Sequence, residues 1–319
     1  MADLEFETGF TDAIKRLHDL RAYRGDPGKE REAAALKAQL DAHRREVYSK
    51  LTSWQRTLVA RHPNRPYTLD YIGALFTDFV EVKGDRRFGD DPAIICGFGF
   101  LGGKAVCVIG HQKGRDTKQK IHRNFGMPRP EGYRKAMRIM RLAEKFGRPI
   151  LTFVDTPGAY PGLDAEERGQ AEAIAFNLRE MAKLTVPVIV TVVGEGGSGG
   201  ALAIAVGNRV NMLENSVYSV ITPEGCASIL WRDAAKAPAA AEAMKVAARD
   251  LRALGLIDDI IEEPPGGAHS DHEATFETVR AVITRQLEEL GMKTVQELLD
   301  ERYAKFRAMG RIGQDLVEG

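Results

Sequence analysis

The chain has 319 residues, of which 44% are apolar, and this is enough to bury the core of one large domain with additional segments. Lysine and arginine number 45, as do aspartate and glutamate, so the formal net charge is zero and predicts no nucleic-acid partner. Cys96, Cys107 and Cys226 lack any zinc-ligand spacing and suit a reducing compartment. No apolar run reaches the ~18 residues of a membrane span, and the acidic start is not a signal peptide. We therefore expect a soluble, cytoplasmic protein that holds no metal.

Residues 1–61 are charged and rich in helix-forming residues. The segment Gly25-Asp-Pro-Gly28 divides them into two predicted helices. This N-terminal helical arm is either an interaction arm or a helical cap on the core. Its second helix has a narrow apolar stripe made of Leu36, Leu40, His43 and Val47.

Strand and helix patterns alternate in the middle of the chain. Repeated β-α units on this scale predict a layered α/β domain with partly parallel strands. Asp164 and Glu167 have the spacing of a capping box at the start of the second helix. The buried stripe predicted for that helix is Ala171, Ile174, Ala175, Leu178 and Met181. The predicted strands cover 93–100, 104–110, 149–155 and 187–193, and the predicted helices cover 131–146 and 165–184.

Positive charge is concentrated between residues 104 and 148, where thirteen lysines and arginines stand against three acidic residues. We therefore expect an acidic ligand or partner nearby. Lys113 and Arg115 follow a predicted strand and could bind phosphates or a partner's carboxylates. The helix over 131–146 is interpreted as amphipathic, with a buried stripe of Tyr133, Ala136, Met137, Met140 and Ala143. The residues that would face water are Arg134, Lys135, Arg138, Arg141 and Lys145.

The most informative segment is Gly194 to Gly200, which has five glycines and one serine between an apolar strand and an Ala/Leu/Ile helix pattern. Glycine lets a ligand approach the main chain closely. The first amides of the following helix have no partner within the helix, so they could stabilise an oxyanion or hold a phosphate. The alternative is a turn whose glycines serve only tight packing of helix on strand.

The same segment also matches the G-x-S-x-G pattern of serine hydrolases, with Ser198 as the nucleophile. The candidate histidines lie in a loop rich in Pro and Gly, which is typical of an exposed segment rather than a fixed catalytic wall. The triad partners that the chain order permits are Asp258 or Asp259, and His269 or His272.

Asp155 to Gly162 form a second turn of this kind, again between an apolar strand and a helix. Ligands of open α/β sheets bind at the carboxyl ends of the strands. Gly158 and Ala159 could therefore line one cleft together with the glycines at Gly196 to Gly200. The alternative is a rigid Pro/Gly connection.

Several long motifs, taken in order, resemble the alpha-subunit family of the bacterial acetyl-coenzyme A carboxylase carboxyltransferases. The similarity covers about residues 32 to 290 without an evident gap and is looser at both ends. The motifs that carry it are HPNRPYTLDY (62–71), GHQKGR (110–115), RNFGMP (123–128), EGYRKA (131–136), DTPGAYPG (155–162), GEGGSGG (194–200) and SVITPEGCASILW (219–231).

The resemblance implies a crotonase/ClpP-like α/β fold, in which repeated ββα units build two nearly perpendicular sheets flanked by helices. The expected domains are the N-terminal helical arm over 1–61, a carboxyltransferase core over 62–262, and a loop with C-terminal helices over 263–319. Such an alpha subunit pairs with a homologous beta subunit in an α2β2 heterotetramer whose active site lies between the two.

The resemblance also implies the reaction. The carboxyl group of carboxybiotin, carried on a separate biotin carboxyl carrier protein, passes to acetyl-CoA and gives malonyl-CoA for fatty-acid biosynthesis, while biotin carboxylase is a further partner. Acetyl-CoA binds mainly to the beta subunit, which also holds the structural zinc. The family's catalytic backbone amides fall here on Gly199 and Gly200, with Gly196 and Gly197 beside them. The alternative function that is not enzymatic is that of a non-catalytic scaffold subunit.

Overall fold

Eight β-strands form one mixed sheet in the computed structural model, which describes residues 4–23 and 25–310. The strands are β1 (Thr77–Glu81), β2 (Ile94–Leu101), β3 (Lys104–His111), β4 (Ile150–Thr156), β5 (Val188–Gly197), β6 (Arg209–Leu213), β7 (Val217–Ser219) and β8 (Asp259–Ile261). β1, β2 and β3 are antiparallel neighbours, whereas β3, β4, β5, β6 and β8 follow one another in parallel. β7 pairs with the end of β5 and lies off this path.

Helices surround the sheet, and single 3-10 turns connect some of them. None of the helices in the described ranges is long and apolar enough to cross a bilayer. The helices are α1 (Thr11–Arg21), α2 (Pro27–Ser49), α3 (Ser53–Ala60), α4 (Thr68–Leu75), α5 (Thr117–His122), α6 (Pro130–Lys145), α7 (Leu163–Glu167), α8 (Gln170–Met181), α9 (Ser198–Leu202), α10 (Pro223–Trp231), α11 (Ala237–Met244), α12 (Ala248–Ala253), α13 (His272–Gly291) and α14 (Val295–Ala308).

The core lies on both faces of the sheet. Side chains alternate between two buried clusters along each strand, so Cys96 of β2 and Ile150 of β4 join one cluster while their neighbours Ile95 and Leu151 join the other. Helices α6, α8 and α12 cover the first face, and α4 and α13 cover the second. β4 and β5 are buried along their whole length, which explains why they are continuous apolar runs rather than alternating patterns.

The four predicted strands and the α/β class are confirmed, and β5 continues through the first glycines to Gly197. β2, β3 and α6 form a ββα unit, whereas β4 is followed by helices alone. The resemblance implied two separate sheets, but all eight strands of the described chain are linked by one set of pairings. The second sheet is present only as β7, which branches from β5 at Glu195, Gly196 and Gly197.

The N-terminal helices pack on one another and on the core. Asp26 begins α2 by accepting hydrogen bonds from the amides of Gly28 and Lys29, so the predicted break is confirmed. Of the predicted stripe, Leu40 is buried, Leu36 and Val47 are half-buried, and His43 is exposed. The last helix before residue 61, α3, is tied to the core because Arg56 donates to Asn215 Oδ1 at 2.6 Å.

The helix predicted over 165–184 is wrong in its extent. Gly169 has a φ of +81°, a left-handed conformation that separates α7 from α8. Asp164 binds the side chain of Arg168 instead of closing a capping box with Glu167. The buried face is also rotated relative to the prediction, since Ala171 and Ala175 are exposed. The residues that α8 buries are Gln170, Ala173, Asn177 and Met181.

The buried stripe of α6 is confirmed at all five positions, but the interpretation of its cations is wrong for Lys135. The Lys135 side chain is 0% exposed, and its Nζ donates to Asp90 Oδ1 at 2.6 Å and to the Asp91 carbonyl at 2.8 Å. Arg134 is mostly covered as well, and its Nε donates to Asp85 Oδ2 at 2.8 Å. Arg138 donates to the Gly84 carbonyl at 2.8 Å, so three of the five cations bind the loop between β1 and β2 rather than water.

We expect Lys135→Ala to lower the free energy of unfolding by about 2–3 kcal/mol, because it removes a buried ammonium group together with its packing, its ion pair to Asp90 and its hydrogen bond to the Asp91 carbonyl. Lys145→Ala, at the exposed end of the same helix, should change that free energy by less than about 0.5 kcal/mol. Urea unfolding followed by circular dichroism measures both. Equal effects of the two substitutions would contradict the buried role of Lys135.

Candidate functional site

Two turns interlock at the carboxyl ends of β4 and β5. Thr156 in β4 pairs with Gly196 in β5, and the chain then continues into the turn over 156–162 on one side and into α9 on the other. A Cβ atom at Gly197 would overlap the Pro157 carbonyl, and one at Gly200 would overlap the backbone of Gly158 and Ala159. Only glycine permits this approach, so the packing alternative accounts for these two positions.

A cleft of about 670 Å³ opens beside the interlocked turns. Gly158, Ala159 and Gly199 line it, as the sequence predicted for one shared cleft. Its other wall is α8, which contributes Ile174, and a Cβ at Gly199 would lie 3.5 Å from that side chain, in ordinary contact. The remaining lining residues are Pro157, Tyr160, Pro161, Glu166, Gln170, Ala171, Ser198, Val220, Ile221 and Thr222.

The turn over 156–162 is held rigid by side chains that the sequence did not single out. Thr156 Oγ1 donates to the Gly158 carbonyl at 2.8 Å. Gln170 Nε2 donates to the carbonyls of Pro128 and Tyr160, at 2.9 and 2.8 Å. Gln170 lies at the first position of α8 and is buried, so the wall of the cleft and the turn opposite are fixed to each other.

The predicted glycines occupy different positions around this cleft. Gly199 is partly exposed and lines it, whereas Gly200 is buried beneath. Gly196 packs against the Tyr218 ring, and Gly196 and Gly197 border only a hollow of about 10 Å³. This arrangement favours a packing role, rather than ligand contact, for Gly196 and Gly197.

α9 begins at Ser198, which has a φ of +52°, a strained conformation for a residue with a side chain. The first amides of the helix have no acceptor within it. The Gly199 carbonyl accepts from the Ala203 amide at 3.0 Å, which aligns the peptide between Gly199 and Gly200 with the helix axis. Because this peptide is planar and trans, the Gly200 N–H is directed toward the beginning of α9.

His111 fixes the inner side of α9, and the sequence analysis gave it no role. Its Nδ1 accepts from the Asp155 amide at 3.3 Å, and its Nε2 donates to the Gly200 carbonyl at 3.2 Å. Full burial lowers the pKa of His111 to about 3, so the ring is neutral in the tautomer with the proton on Nε2. One imidazole therefore joins the ends of β3 and β4 to the first turn of α9.

Buried charges lie under the glycine segment. Lys113 Nζ is 2.7 Å from Asp155 Oδ1 and 2.9 Å from Glu195 Oε2, and Arg61 Nε donates to Glu195 Oε1 at 2.6 Å. Burial alone would lower the pKa of Lys113, but Asp155 and Glu195 raise it above its ordinary value. Burial would likewise raise the pKa of Glu195, but Lys113 and Arg61 lower it. These directions of the pKa mean that Lys113 and Glu195 are both charged at neutral pH.

Lys113 and Arg115 therefore have partners inside the chain, and these contacts favour structural roles over the predicted binding of a phosphate. Arg115 binds the Asp70 carboxylate and donates to the carbonyls of Pro63 and Arg65, at 2.6 and 2.9 Å. Its guanidinium also lies 4.0 Å from the centre of the Tyr67 ring. The sequence could not reveal this, because the acceptors come from a segment about fifty positions earlier.

The residues proposed for a catalytic triad each bind other groups, so the structure does not support the hydrolase alternative. His269 Nε2 is 3.0 Å from Glu7 Oε1, and His272 Nε2 is 2.6 Å from the Asn64 carbonyl. Asp258 forms an ion pair with Lys305, and Asp259 with Arg285.

One group of side chains in the described ranges has the composition of a metal site. Ligand atoms of Glu7, His62 and His269 lie within 4.8 Å of one another. Glu7 already accepts hydrogen bonds from His269 and from the Tyr48 hydroxyl, and His62 Nδ1 accepts from the Asn64 amide at 3.2 Å. These hydrogen bonds explain why the three side chains lie together: they link the N-terminal segment to the loop after β8.

Comparison with solved structures defines the class of fold. Transcarboxylase 12S matches with a TM-score of 0.59 and 21% identity over 72% of this chain and 42% of its own. A Pseudomonas malonate decarboxylase hetero-tetramer, in complex with coenzyme A, matches with a TM-score of 0.57 and 19% identity over 73% of this chain and 90% of that chain. The fold is thus the crotonase-like α/β fold.

Sequence comparison narrows the class to a family. The family model "Acetyl co-enzyme A carboxylase carboxyltransferase-like" matches residues 3–310. Acetyl-coenzyme A carboxylase carboxyl transferase subunit alpha of Syntrophotalea carbinolica is 60% identical over 96% of this chain and 97% of its own length, and its counterpart in Geobacter metallireducens is 56% identical over 98% of both. The chain belongs to this carboxyltransferase family, which confirms the resemblance.

We expect stability to depend on neutral His111. Since burial places its pKa below the ordinary 6.5, the contribution of His111 is present above pH 6.5 and is lost as the pH falls toward 3. His111→Gln, whose amide can accept from Asp155 and donate to Gly200, should be less sensitive to acid over this interval. Unfolding free energies measured against pH test this.

His111→Leu is the matched control, because it keeps the apolar bulk but leaves the Gly200 carbonyl unsatisfied. It should lower the free energy of unfolding at pH 7 by about 1–3 kcal/mol more than His111→Gln does. Identical pH profiles for the wild type and His111→Gln would show that the imidazole is not held neutral.

Proposed function

We propose that this chain is the alpha subunit of an acetyl-CoA carboxylase carboxyltransferase. It would act with a beta subunit to transfer the carboxyl group of carboxybiotin to acetyl-CoA, giving malonyl-CoA for fatty-acid biosynthesis in the cytoplasm. Family membership over nearly the whole length supports this proposal. The observation that carries it in the structure is Gly199, a residue without a side chain at the start of α9 and in the wall of the large cleft.

The cleft fits the chemistry required of it. Carboxybiotin supplies the carboxyl group when it is bound, and its ureido oxygen gains negative charge as that group leaves. Backbone amides at the start of α9 offer positive dipole ends to such an oxygen without the need for a charged side chain. Gly199 leaves room for the ring, while Gly200, packed on Gly158 and Ala159, sets the direction of the helix.

No acidic or basic side chain of this chain needs to act as the catalyst in this proposal. Two cations, Lys113 and Arg61, lie against the carboxylates of Asp155 and Glu195 below the glycines, so the role of these charges is to hold β4 and β5 in place. His111 is neutral and donates its only proton to a backbone carbonyl. The amides then provide the stabilisation through their fixed position rather than through proton transfer.

The surface near the cleft suits a partner subunit. Val220, which lines the cleft, is 78% exposed, and Ile229 on α10 is 71% exposed. Leu163 and Leu230 are exposed as well. We propose that the beta subunit covers these apolar side chains in an α2β2 heterotetramer and brings acetyl-CoA to the open side of the cleft. The biotin carboxyl carrier protein would deliver its cofactor there, after biotin carboxylase has loaded it.

Gly199→Val tests the proposal, because the structure predicts that it folds. A Cβ at Gly199 has only an ordinary contact with Ile174, but a valine side chain would project into the cleft. With carboxybiotin and acetyl-CoA, the reconstituted complex should form malonyl-CoA at least about tenfold more slowly, since a bulky group displaces the ligand from the amides. Size-exclusion chromatography must show that the variant still assembles.

Ser198→Gly separates this function from the alternatives. It removes the hydroxyl and suits the positive φ at this position, so it should keep the carboxyltransferase activity. Labelling of Ser198 by a fluorophosphonate, together with a hydrolase activity that is lost in Ser198→Gly, would support a serine hydrolase. Full activity of Gly199→Val in an intact complex would support a scaffold subunit instead.

A further inference from the structure

A second cavity, of about 320 Å³, lies on the other side of α8 from the cleft. α8 contributes Glu172, Ala173 and Phe176 to this cavity, whereas its residues Ala171 and Ile174 line the cleft. The two sites are thus separated by one helix. The other lining residues are Asp85, Arg86, Arg87, Arg134, Met137, Arg138 and Arg141.

The loop between β1 and β2 that forms one wall of this cavity is held in a fixed shape. Asp85 Oδ1 accepts hydrogen bonds from the amides of Arg87, Phe88 and Gly89, at 2.9, 2.8 and 3.0 Å. Its other oxygen accepts from Arg134, and Arg138 donates to the Gly84 carbonyl at 2.8 Å. Two arginines of α6 therefore serve to fix the loop.

Arg86 and Arg87 project from this fixed loop with their charges uncompensated. Both are exposed, and neither forms a side-chain hydrogen bond or an ion pair with any described residue. Arg86 has a φ of +63°, a left-handed conformation that is strained for a residue other than glycine. Strain of this kind, together with two unpaired guanidinium groups beside a cavity, is typical of a binding site.

The charge and shape of the cavity select a class of ligand. Five arginines and two carboxylates line it, an excess of three positive charges. Guanidinium groups bind phosphate oxygens in pairs of hydrogen bonds. The Phe176 ring beside them is already covered, because the guanidinium groups of Arg141 and Arg179 each lie 5.1 Å from its centre. The phosphate oxygens of a ligand are thus the feature that this cavity selects.

We propose that this cavity binds the diphosphate group of a nucleotide, with Arg86 and Arg87 on the phosphate oxygens. The diphosphate belongs either to free ADP or to the ADP portion of coenzyme A. The proposal does not depend on the function proposed above, because the residues that form the cleft take no part in it and binding is measured on this chain alone.

Calorimetric titration of the full chain with ADP tests the proposal. Arg86→Gln combined with Arg87→Gln should weaken ADP binding at least tenfold, and added salt should weaken binding to the wild type. Arg232→Gln is the matched control, because Arg232 is also exposed and left-handed, with a φ of +54°, but lies far along the chain in the cap of α10. The control should bind as the wild type does.

Three further ligands complete the test. Pyrophosphate should bind with the same dependence on Arg86 and Arg87, and adenosine alone should bind much more weakly than ADP. If binding of coenzyme A also depends on Arg86 and Arg87, the diphosphate is that of the coenzyme. If ADP binds in this way and coenzyme A does not, the ligand is a free nucleotide. Absence of ADP binding to the wild type, or equal affinity in the double variant, would overturn the proposal. Such a result would leave the function proposed above intact, because malonyl-CoA formation tests that function separately.

Discussion

The carboxylate of Asp155 is the point on which the site depends. One of its oxygens accepts the Glu195 amide at 3.0 Å and lies 2.7 Å from Lys113 Nζ, so β5 and the segment after β3 are both bound to the end of β4. Gly194 has no side chain because a Cβ there would overlap this same oxygen. Removing one member of such a buried set costs several kcal/mol, since the remaining charge loses its compensation. Arg65 and Glu263, which are 1% and 0% exposed, support β5 from below in the same way, because Arg65 also donates to the Val193 carbonyl at 2.8 Å.

Glycine acts in two distinct ways above this charged base. At Gly197 and Gly200 it allows one backbone to touch another, and this contact locks the two turns together. At Gly199 it leaves space, so the wall of the cleft is main chain rather than side chain. A site of this kind presents amide dipoles that need little rearrangement when charge develops. The ionisable groups nearby already form ion pairs with one another. For this reason none of them is in position to act as an acid, a base or a nucleophile.

The elements that local patterns determine were predictable from the sequence, and the contacts made across long distances in the chain were not. Four of the eight described strands, β2 to β5, follow from apolar patterns in the sequence, as do the five buried positions of α6. The motifs identified the family, and they located Gly158, Ala159 and Gly199 at one cleft. Lys135 could not be recognised as buried, because its partners Asp90 and Asp91 lie some 45 positions earlier. His111 lies within a recognised motif, but only the fold brings it to Gly200, 89 positions away. The break at Gly169 was missed because the stripe that predicted this helix lies wholly beyond it, from Ala171 to Met181.

The contact between Arg61 and Glu195 has a consequence for how the chain can be divided. Arg61 ends α3 and also binds Glu224 of α10, so it bridges the N-terminal segment, the base of the glycine turn and the apolar helix beside the cleft. A shortened protein beginning after residue 61 would leave Glu195 with Lys113 as its one cation among the described residues, and would remove the ion pair between Arg61 and α10. The first sixty or so residues are therefore a brace for the glycine turn as well as an appendage, and Arg61 joins Arg56 and Glu7 among the side chains that fix them to the rest of the fold.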